Sequence, residues 1–263
     1  MLAETGDQYR DSRKLAARAR LHREFSTAEV PWHRWVAEKA ALPEGGAVLD
    51  VGCGPAWFWT EAEKVAPTDL RLTLVDRSAG MVEEALERVR GLGRWNSVEG
   101  VVADAMRLPF AAASFDAAIA MHMLYHTADP EAAVAELARA LKPGGRLVVT
   151  LNGRDNLAEL YALGHAVFGG YASDPSAETF GLEIAEPILR RHFATVELEL
   201  HPDSIECTDP EVVLDYLQSF PPGDTASAEQ VEQARERIAD AFGSDGRLSV
   251  RKRVGLFRCT ART

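Results

Sequence analysis

The sequence predicts an α/β fold in which a doubly wound, mostly parallel sheet of seven strands has helices on both faces. Apolar, strand-like runs alternate with amphipathic segments five times between residues 47 and 151. The first run ends in two glycines, Gly52 and Gly54, directly ahead of a helix. Two more alternating runs, at 197–200 and 254–260, complete the sheet. In such folds a ligand binds across the carboxyl ends of the parallel strands.

Each predicted element has a local signal. Turn residues bound the first strand, and Ser78 and Asp129 are suited to cap the helices that follow them. Pro31 is suited to the first turn of a helix. The sequence therefore predicts helices over 7–25, 31–40, 57–66, 78–89, 130–141, 210–219 and 226–242, and parallel strands over 47–51, 70–75, 97–103, 115–121 and 146–151.

Length and composition are those of one large globular domain. The chain has 263 residues, of which 46% are hydrophobic and 26% charged. We expect a single domain over residues 1–263. Its predicted parts are an N-terminal helical arm (1–40), a ligand-binding core (41–151), a cap inserted after the fifth strand (152–192), and C-terminal strands with inserted helices (193–263).

Charge and cysteine content narrow the function classes. The net charge of −11 argues against a nucleic-acid partner, and the basic run 251–253 is interpreted as a solvated strand face. No apolar run is long enough to span a membrane, and the acidic N-terminus does not resemble a signal peptide, so we expect a cytoplasmic protein. Three cysteines without a C-x-x-C pair predict a reducing compartment and no metal site.

The glycine pair favours a nucleoside ligand. A strand, a glycine turn and a helix bring backbone N–H groups and a helix N-terminus to such a ligand. The dinucleotide fingerprint requires a small residue at the position of Trp57, where an indole leaves no room for a pyrophosphate. Taken alone, the glycine pair is equally compatible with an ordinary strand-to-helix turn.

Acidic residues follow two of the predicted strands. Asp76 ends the second strand, about 20 residues past the glycines, where doubly wound folds bind ribose hydroxyls. The alternative is that Asp76 only stabilises the dipole of the next helix. Asp104 ends the third strand in the same way.

The order and spacing of these motifs resemble those of class I S-adenosylmethionine-dependent methyltransferases, and in particular bacterial methyltransferases of small molecules. The resemblance rests on residues 48–56, 74–81, 101–108, 114–126 and 138–149. It implies a Rossmann-like fold, S-adenosylmethionine as cofactor and methyl transfer as activity. Two positions depart from the family pattern: Ala56 replaces a third glycine, and Met121 replaces a residue that is often polar.

The resemblance also implies roles for individual residues. The glycine loop, with Asp50 beneath it, would hold the methionine end of the cofactor. Asp76 would bind the ribose, and Asp104 the adenine amino group. The full set of cofactor residues is Asp50, Gly52, Cys53, Gly54, Asp76, Arg77, Met81, Asp104, Ala105, Met106 and Met121. Cys53 is not expected to be a nucleophile, since transfer from a sulfonium needs no covalent intermediate.

Histidines and aromatic residues are the candidates for the methyl acceptor. His126 and His33 are the predicted catalytic residues, and Trp32, Tyr125 and His165 are predicted to bind the acceptor. On a helix, His122 and His126 would share a face; a packing role is the alternative, and without a third ligand a metal site is disfavoured.

The predicted reaction is methylation of an O or N atom of a small, partly apolar molecule, in bacterial secondary metabolism. Carbon and sulfur acceptors stay open. The alternatives from other classes are a nicotinamide-dependent oxidoreductase and a non-catalytic S-adenosylmethionine-binding regulator. The sequence gives no prediction of oligomeric state.

Overall fold

A computed structural model describes residues 13–263, with side chains from residue 18 onward. By its contacts the chain divides into two compact units. The core unit comprises Trp32–Gly153, Ser176–His201 and Val254–Thr263. The accessory unit comprises the described residues up to Pro31, together with Arg154–Pro175 and Pro202–Arg253. The predicted arm and cap are each divided between these units, and the single-domain description stays a prediction.

The core unit contains most of the predicted elements. In chain order they are α2 (Trp32–Ala40), β1 (Ala47–Val51), α3 (Trp57–Ala62), β2 (Arg71–Asp76), α4 (Ala79–Gly91), β3 (Ser97–Val102), β4 (Phe115–Met121), a 3-10 turn (Leu124–His126), α5 (Pro130–Ala140), β5 (Leu141–Asn152), α7 (Pro175–Phe180), α8 (Leu182–His192), β6 (Phe193–Leu200) and β9 (Val254–Ala261).

Seven strands of the core unit form one sheet in the order β3-β2-β1-β4-β5-β9-β6. The first five are parallel, and β9 runs antiparallel to β5 and β6. This confirms the predicted fold class. Strands β1 and β4, which are neighbours in the sheet, send their connections in opposite directions, so the crevice for a ligand is expected beside their carboxyl ends.

Helices on the sheet begin where the sequence signals predicted. The Ser78 hydroxyl accepts a hydrogen bond from the Met81 N–H at the start of α4. The Asp129 carboxylate caps α5 by accepting from the Ala132 N–H, with Pro130 in the first turn. The apolar faces of α4 and α5 are buried, as the helical spacing of their apolar residues predicts. These caps fix where the chain re-enters a helix after β2 and β4.

Several boundaries differ from the predictions. Helix α3 ends at Ala62 and not at residue 66, and β6 begins at Phe193 and not at 197. Strand β5 begins at Leu141 and not at the predicted residue 146. Leu141 already pairs with Phe115 of β4, and the register shifts before the next pair, Ala117 with Arg146. Residues 7–12 of the first predicted helix lie outside the described part of the chain.

The accessory unit is mainly helical. It contains α1 (Arg13–Phe25), α6 (Ala158–Phe168), β7 (Ser204–Cys207), α9 (Pro210–Leu217), a 3-10 turn (Gly223–Thr225), α10 (Ala228–Ala241) and β8 (Leu248–Arg251). Strands β7 and β8 pair antiparallel in a separate small sheet that was not predicted. With four residues each, they are too short to give a clear alternating pattern.

The basic run 251–253 is not simply a solvated face. Lys252 is nearly buried and forms an ion pair with Asp203, whose side chain is 1% exposed. The Asp203 carboxylate also accepts from the Ser26 hydroxyl, at 2.7 Å. Arg251 and Arg253 both pair with Asp155. The interpretation of this run from sequence was therefore wrong for Lys252, because a buried carboxylate of the same unit neutralises it.

None of the helices within residues 13–263 is long and apolar enough to cross a membrane.

Candidate functional site

The glycine loop after β1 has a left-handed backbone at both glycines. Gly52 has φ 67° and Gly54 has φ 51°. A Cβ on Gly52 would lie 2.5 Å from the Cβ of Met123, whereas a Cβ on Gly54 would have no heavy atom within 4 Å. The Cys53 N–H donates to the Val75 carbonyl of β2 at 3.0 Å, which ties the loop to the sheet. Gly52 therefore allows close packing, and Gly54 faces open space.

Ala56 occupies the position of the missing third glycine. It is fully buried and has φ 57°, so it adopts the left-handed conformation that glycine would provide. Its N–H donates to the Cys53 carbonyl at 2.9 Å, and α3 begins at the next residue. The departure from the family pattern therefore preserves the shape of the loop.

Asp76 is held at the carboxyl end of β2 by two backbone donors. The Gly54 N–H donates to Oδ2 at 3.0 Å, and the Ser78 N–H donates to Oδ1 at 2.9 Å. Each carboxylate oxygen keeps a further acceptor position. A fixed carboxylate beside the open space at Gly54 fits a ligand with neighbouring hydroxyl groups, such as a ribose.

Asp50 lies beneath the glycine loop and is 3% exposed. Its Oδ2 accepts from the Trp59 indole N–H at 2.8 Å. Burial raises the pKa of Asp50 to about 7; the bond from Trp59 opposes this rise, and the negative charge of Asp76 adds to it. The carboxylate buttresses the loop from inside, and its predicted contact with the methionine end of a cofactor stays a prediction.

Cys53 is a neutral thiol in this loop. Burial is the main cause that raises the pKa of Cys53 far above its ordinary value, and the negative charges of Asp50 and Asp76 raise it further. The Sγ lies 3.5 Å from the Gly54 carbonyl oxygen, to which it donates. A protonated thiol agrees with the prediction that Cys53 is not a nucleophile.

The turn after β3 presents Asp104. The Met106 N–H donates to the Asp104 Oδ1, and the Arg107 N–H donates to the Asp104 carbonyl, both at 2.9 Å. Ala105 is buried and Met106 is partly buried against the core. Met81, predicted to cover an adenosine, is only 2% exposed, and this burial leaves little of its surface for that contact.

A pair on α5 that sequence reasoning missed holds the segment after this turn. Arg139 and Glu136 form a two-bond ion pair with distances of 2.8 Å. Glu136 also accepts from the Leu108 N–H, and Arg139 donates to the carbonyls of Leu108 and Phe110. The spacing of three residues on a helix was visible in the sequence, but its backbone partners were not.

After β4 the chain bends sharply at His122. This residue has φ 50°, and its N–H donates to the Thr150 carbonyl of β5 at 3.1 Å. The following 3-10 turn begins only at Leu124. The predicted helical face shared by His122 and His126 is therefore wrong, because His122 precedes the turn. Tyr125 and His126 contact each other edge-to-face, with ring centroids 4.5 Å apart.

The first residues of α2 contact the segments that follow β1 and β4. Trp32 stacks on Trp35, with centroids 5.6 Å apart, and lies equally far from the His122 ring, which follows β4. His33 contacts the edge of Phe58 on α3, the helix that follows the β1 glycine loop. Two consecutive residues thus link the connections that leave β1 and β4.

Arg77 and His165 are the remaining predicted site residues. Arg77 is exposed just beyond Asp76. His165 belongs to the accessory unit, where its Nδ1 lies 2.9 Å from the Gly170 carbonyl oxygen. Their predicted roles stay predictions. Within the part of the chain that the structure describes, no group of three His, Cys, Asp or Glu side chains could hold a metal ion.

Comparison with known proteins places this geometry in context. Residues 49–149 match the family described as "Methyltransferase domain". The chain is 38% identical over 116 residues to methyltransferase GfsG of Streptomyces halstedii, covering 43% of this chain and 40% of GfsG. It is 35% identical over 117 residues to O-methyltransferase rstn1 of Aspergillus nomiae, covering 44% of this chain and 51% of rstn1. It is 30% identical over 118 residues to the ubiquinone/menaquinone biosynthesis C-methyltransferase UbiE of Haemophilus ducreyi, covering 45% of this chain and 46% of UbiE. The chain thus spans about half or less of these relatives.

Solved structures share the fold at lower identity. YcgJ of Bacillus subtilis superposes with a TM-score of 0.59 at 20% identity, covering 88% of this chain and 98% of YcgJ. A phosphoethanolamine N-methyltransferase of Haemonchus contortus, solved with S-adenosylhomocysteine, superposes with a TM-score of 0.54 at 21% identity, covering 88% of this chain and 52% of that chain. The [4+2]-cyclase SpnF superposes with a TM-score of 0.55 at 22% identity, covering 88% of this chain and 80% of SpnF.

Proposed function

We propose that this chain, whose residues 49–149 match the methyltransferase family, uses S-adenosylmethionine to methylate an O or N atom of a small, partly apolar molecule. The observation that carries the proposal is the Asp76 carboxylate, fixed by Gly54 and Ser78 beside the open space at Gly54. The similarity to the O-methyltransferase rstn1 supports an oxygen acceptor, and the resemblance of the motifs to bacterial methyltransferases of small molecules supports a small-molecule acceptor.

The residues on the nucleoside side fit S-adenosylmethionine. Asp76 would accept from the ribose hydroxyls, and Asp104, with Ala105 and Met106, would bind the adenine. The glycine loop and Met121 would hold the amino-acid end. When bound, the cofactor supplies a methyl group that is already activated on a positively charged sulfur.

The task left to the chain is to align the acceptor and exclude water. Trp32 and Tyr125 are the proposed acceptor contacts. A base is required only if the acceptor must lose a proton before or during attack. His126 and His33 are the residues proposed for that step, since an imidazole with a pKa of about 6.5 exchanges protons near neutral pH.

Four other functions must be distinguished by experiment. UbiE is named a C-methyltransferase, so a carbon acceptor is one alternative. The cyclase SpnF shares the fold, and this likeness is a reason to measure methyl transfer directly. A nicotinamide-dependent oxidoreductase is disfavoured by Trp57, and a regulator would bind the cofactor without transferring its methyl group.

Cofactor choice is tested by thermal stability, because a ligand that binds only the native state raises the melting temperature. S-adenosylhomocysteine should raise the melting temperature and NADH should leave it unchanged. Equal shifts with both ligands would refute the assignment. Transfer of a tritiated methyl group to phenols and amines then separates an enzyme from a regulator.

Asp76→Ala tests the residue on which the proposal depends. Removing a carboxylate that accepts two ribose bonds should weaken the calorimetric affinity for S-adenosylhomocysteine about thirty- to hundredfold. Asp69→Ala, at an exposed aspartate just before β2, is the matched control and should bind normally. An Asp76→Ala affinity within about twofold of wild type would leave Asp76 as a helix-start acid only.

A further inference from the structure

The strongest unexplained feature of the core unit is a cluster of rings around Trp32. Trp32 and His122 are partly exposed, whereas Trp35 and His201 behind them are buried. The ring of His201 lies 5.3 Å from Trp32 and 5.0 Å from Trp35. A buried layer of rings therefore supports an outer layer that reaches the surface.

The position of the outer layer relates it to the proposed reaction. His122 directly follows Met121 at the carboxyl end of β4, and His33 contacts the helix that follows the glycine loop of β1. Strands β1 and β4 are neighbours and flank the ligand crevice of a doubly wound sheet. Trp32 thus contacts a ring that follows β4, and its neighbour His33 contacts the helix that follows β1, whereas the carboxylates of Asp76 and Asp104 follow β2 and β3.

The backbone of His122 is held in an uncommon conformation. A non-glycine residue at φ 50° is uncommon, and such conformations cluster at functional sites. The hydrogen bond from the His122 N–H to Thr150 anchors this conformation on β5, and Trp32 contacts the ring on one side. The backbone that carries the imidazole is therefore anchored to the sheet, and one side of the ring is in contact with Trp32.

From these contacts we propose that the methyl acceptor carries a planar aromatic ring that stacks on Trp32, and that His122 positions its polar substituent. This inference rests on the proposed function and names its substrate class. A surface made of indole and imidazole rings favours a flat, uncharged partner, because aromatic pairs gain energy beyond area burial when offset or edge-to-face. His122 acts here as a positioning residue, by hydrogen bonding to a hydroxyl or amino group on that ring.

A matched pair of probes tests the inference directly. p-Cresol and 4-methylcyclohexanol have similar size and one hydroxyl each, but only p-cresol is aromatic. Their dissociation constants are measured by NMR titration of the full chain saturated with S-adenosylhomocysteine. We expect the dissociation constant of p-cresol to be at least about fivefold lower than that of 4-methylcyclohexanol. A difference of this size is expected from one favourable aromatic pair.

Variants then assign the preference to residues. Trp32→Leu should abolish the preference for p-cresol. His122→Asn retains a residue type that tolerates the left-handed backbone, and it should weaken p-cresol binding about three- to tenfold. His192→Asn, at a partly buried histidine that pairs with Glu131 on α5, is the control and should bind p-cresol like wild type. S-adenosylhomocysteine affinity within twofold of wild type verifies that each variant is folded.

The outcomes separate this inference from the proposed function. Equal affinity for the two probes, absence of binding of either, or unchanged p-cresol binding in both variants would each overturn the aromatic acceptor site. If wild type fails to bind S-adenosylhomocysteine, the proposed function fails as well. Normal S-adenosylhomocysteine binding with no preference for p-cresol overturns the acceptor inference alone.

Discussion

The proposed nucleoside side and the proposed acceptor side of the core unit are built in different ways. On the nucleoside side, Asp76 and Asp104 are carboxylates held by backbone N–H groups within two residues or from the glycine loop. On the acceptor side, Trp32, His33 and His122 are held by ring contacts between elements distant in the sequence. One side is fixed by local backbone geometry, and the other by tertiary packing.

This difference suggests which part of the site is general and which is particular to this chain. Local backbone geometry needs only a strand, a glycine turn and a capped helix, which any class I methyltransferase can supply. Ring packing depends on the individual side chains at the start of α2 and after β4. We therefore expect variants on the nucleoside side to affect cofactor binding and loop stability, and variants on the acceptor side to affect the acceptor.

The largest predicted effect concerns Gly52, where the two sides meet. Gly52→Ala would place a Cβ at 2.5 Å from the Met123 Cβ, in a backbone conformation that disfavours alanine. The combination of overpacking and strain should cost about 2–5 kcal/mol of unfolding free energy, measured by urea denaturation.

Gly93→Ala is the matched control for this measurement. Gly93 has a similar φ of 63°, but a Cβ there would meet no heavy atom within 4 Å. It should cost only the left-handed strain, about 1 kcal/mol. Equal losses for the two variants would mean that contact with Met123 does not constrain the loop, and that the two sides are structurally independent.

The same distinction explains what the sequence could predict. The strands, the helix caps, the turn at Gly52 and Gly54 and the position of Asp76 at a strand end follow from residues close together in the chain, so local patterns were sufficient to predict them. His122 was misread because its left-handed backbone breaks a spacing that looked helical. The contacts of Trp32 with His122, and of Arg139 with Leu108, join residues far apart in sequence, and no local pattern encodes them.

A second prediction concerns protons on the nucleoside side. The folded-state pKa of Asp50, about 7, lies above its ordinary value of 3.8. The folded protein therefore holds this proton more tightly, so the stability that Asp50 contributes is full below pH 4 and is lost as the pH rises through 7. Wild type should lose roughly 2–3 kcal/mol from this group between pH 5 and pH 8.

Asp50→Asn should remove this dependence while keeping an acceptor for the Trp59 N–H. The measurement is the urea midpoint at pH 5 and pH 8 for both proteins. Asp116→Asn is the control, because the pH dependence of stability that Asp116 contributes has the opposite sign. Burial disfavours the Asp116 carboxylate, but bonds from Lys142 and Ala47 outweigh it and lower the pKa, so its contribution is lost as the pH falls. If Asp50→Asn loses as much stability between pH 5 and pH 8 as wild type does, the group that loses its proton is not Asp50.

The smallest predicted effect concerns the Arg139 clamp and asks whether tertiary contacts also support the nucleoside side. Lysine keeps the charge of Arg139 but cannot bind Glu136 and the carbonyls of Leu108 and Phe110 at once. Arg139→Lys should therefore cost about 1 kcal/mol or less of stability, since the pair is partly exposed. It should speed amide hydrogen exchange at Leu108 and weaken S-adenosylhomocysteine binding about three- to fivefold, because the freed segment follows the Asp104 turn.

Arg34→Lys, in an exposed pair with Glu38, is the control and should change neither property. Unchanged exchange at Leu108 in Arg139→Lys would mean that local backbone bonds alone hold the Asp104 turn, which would make the contrast between the two sides complete.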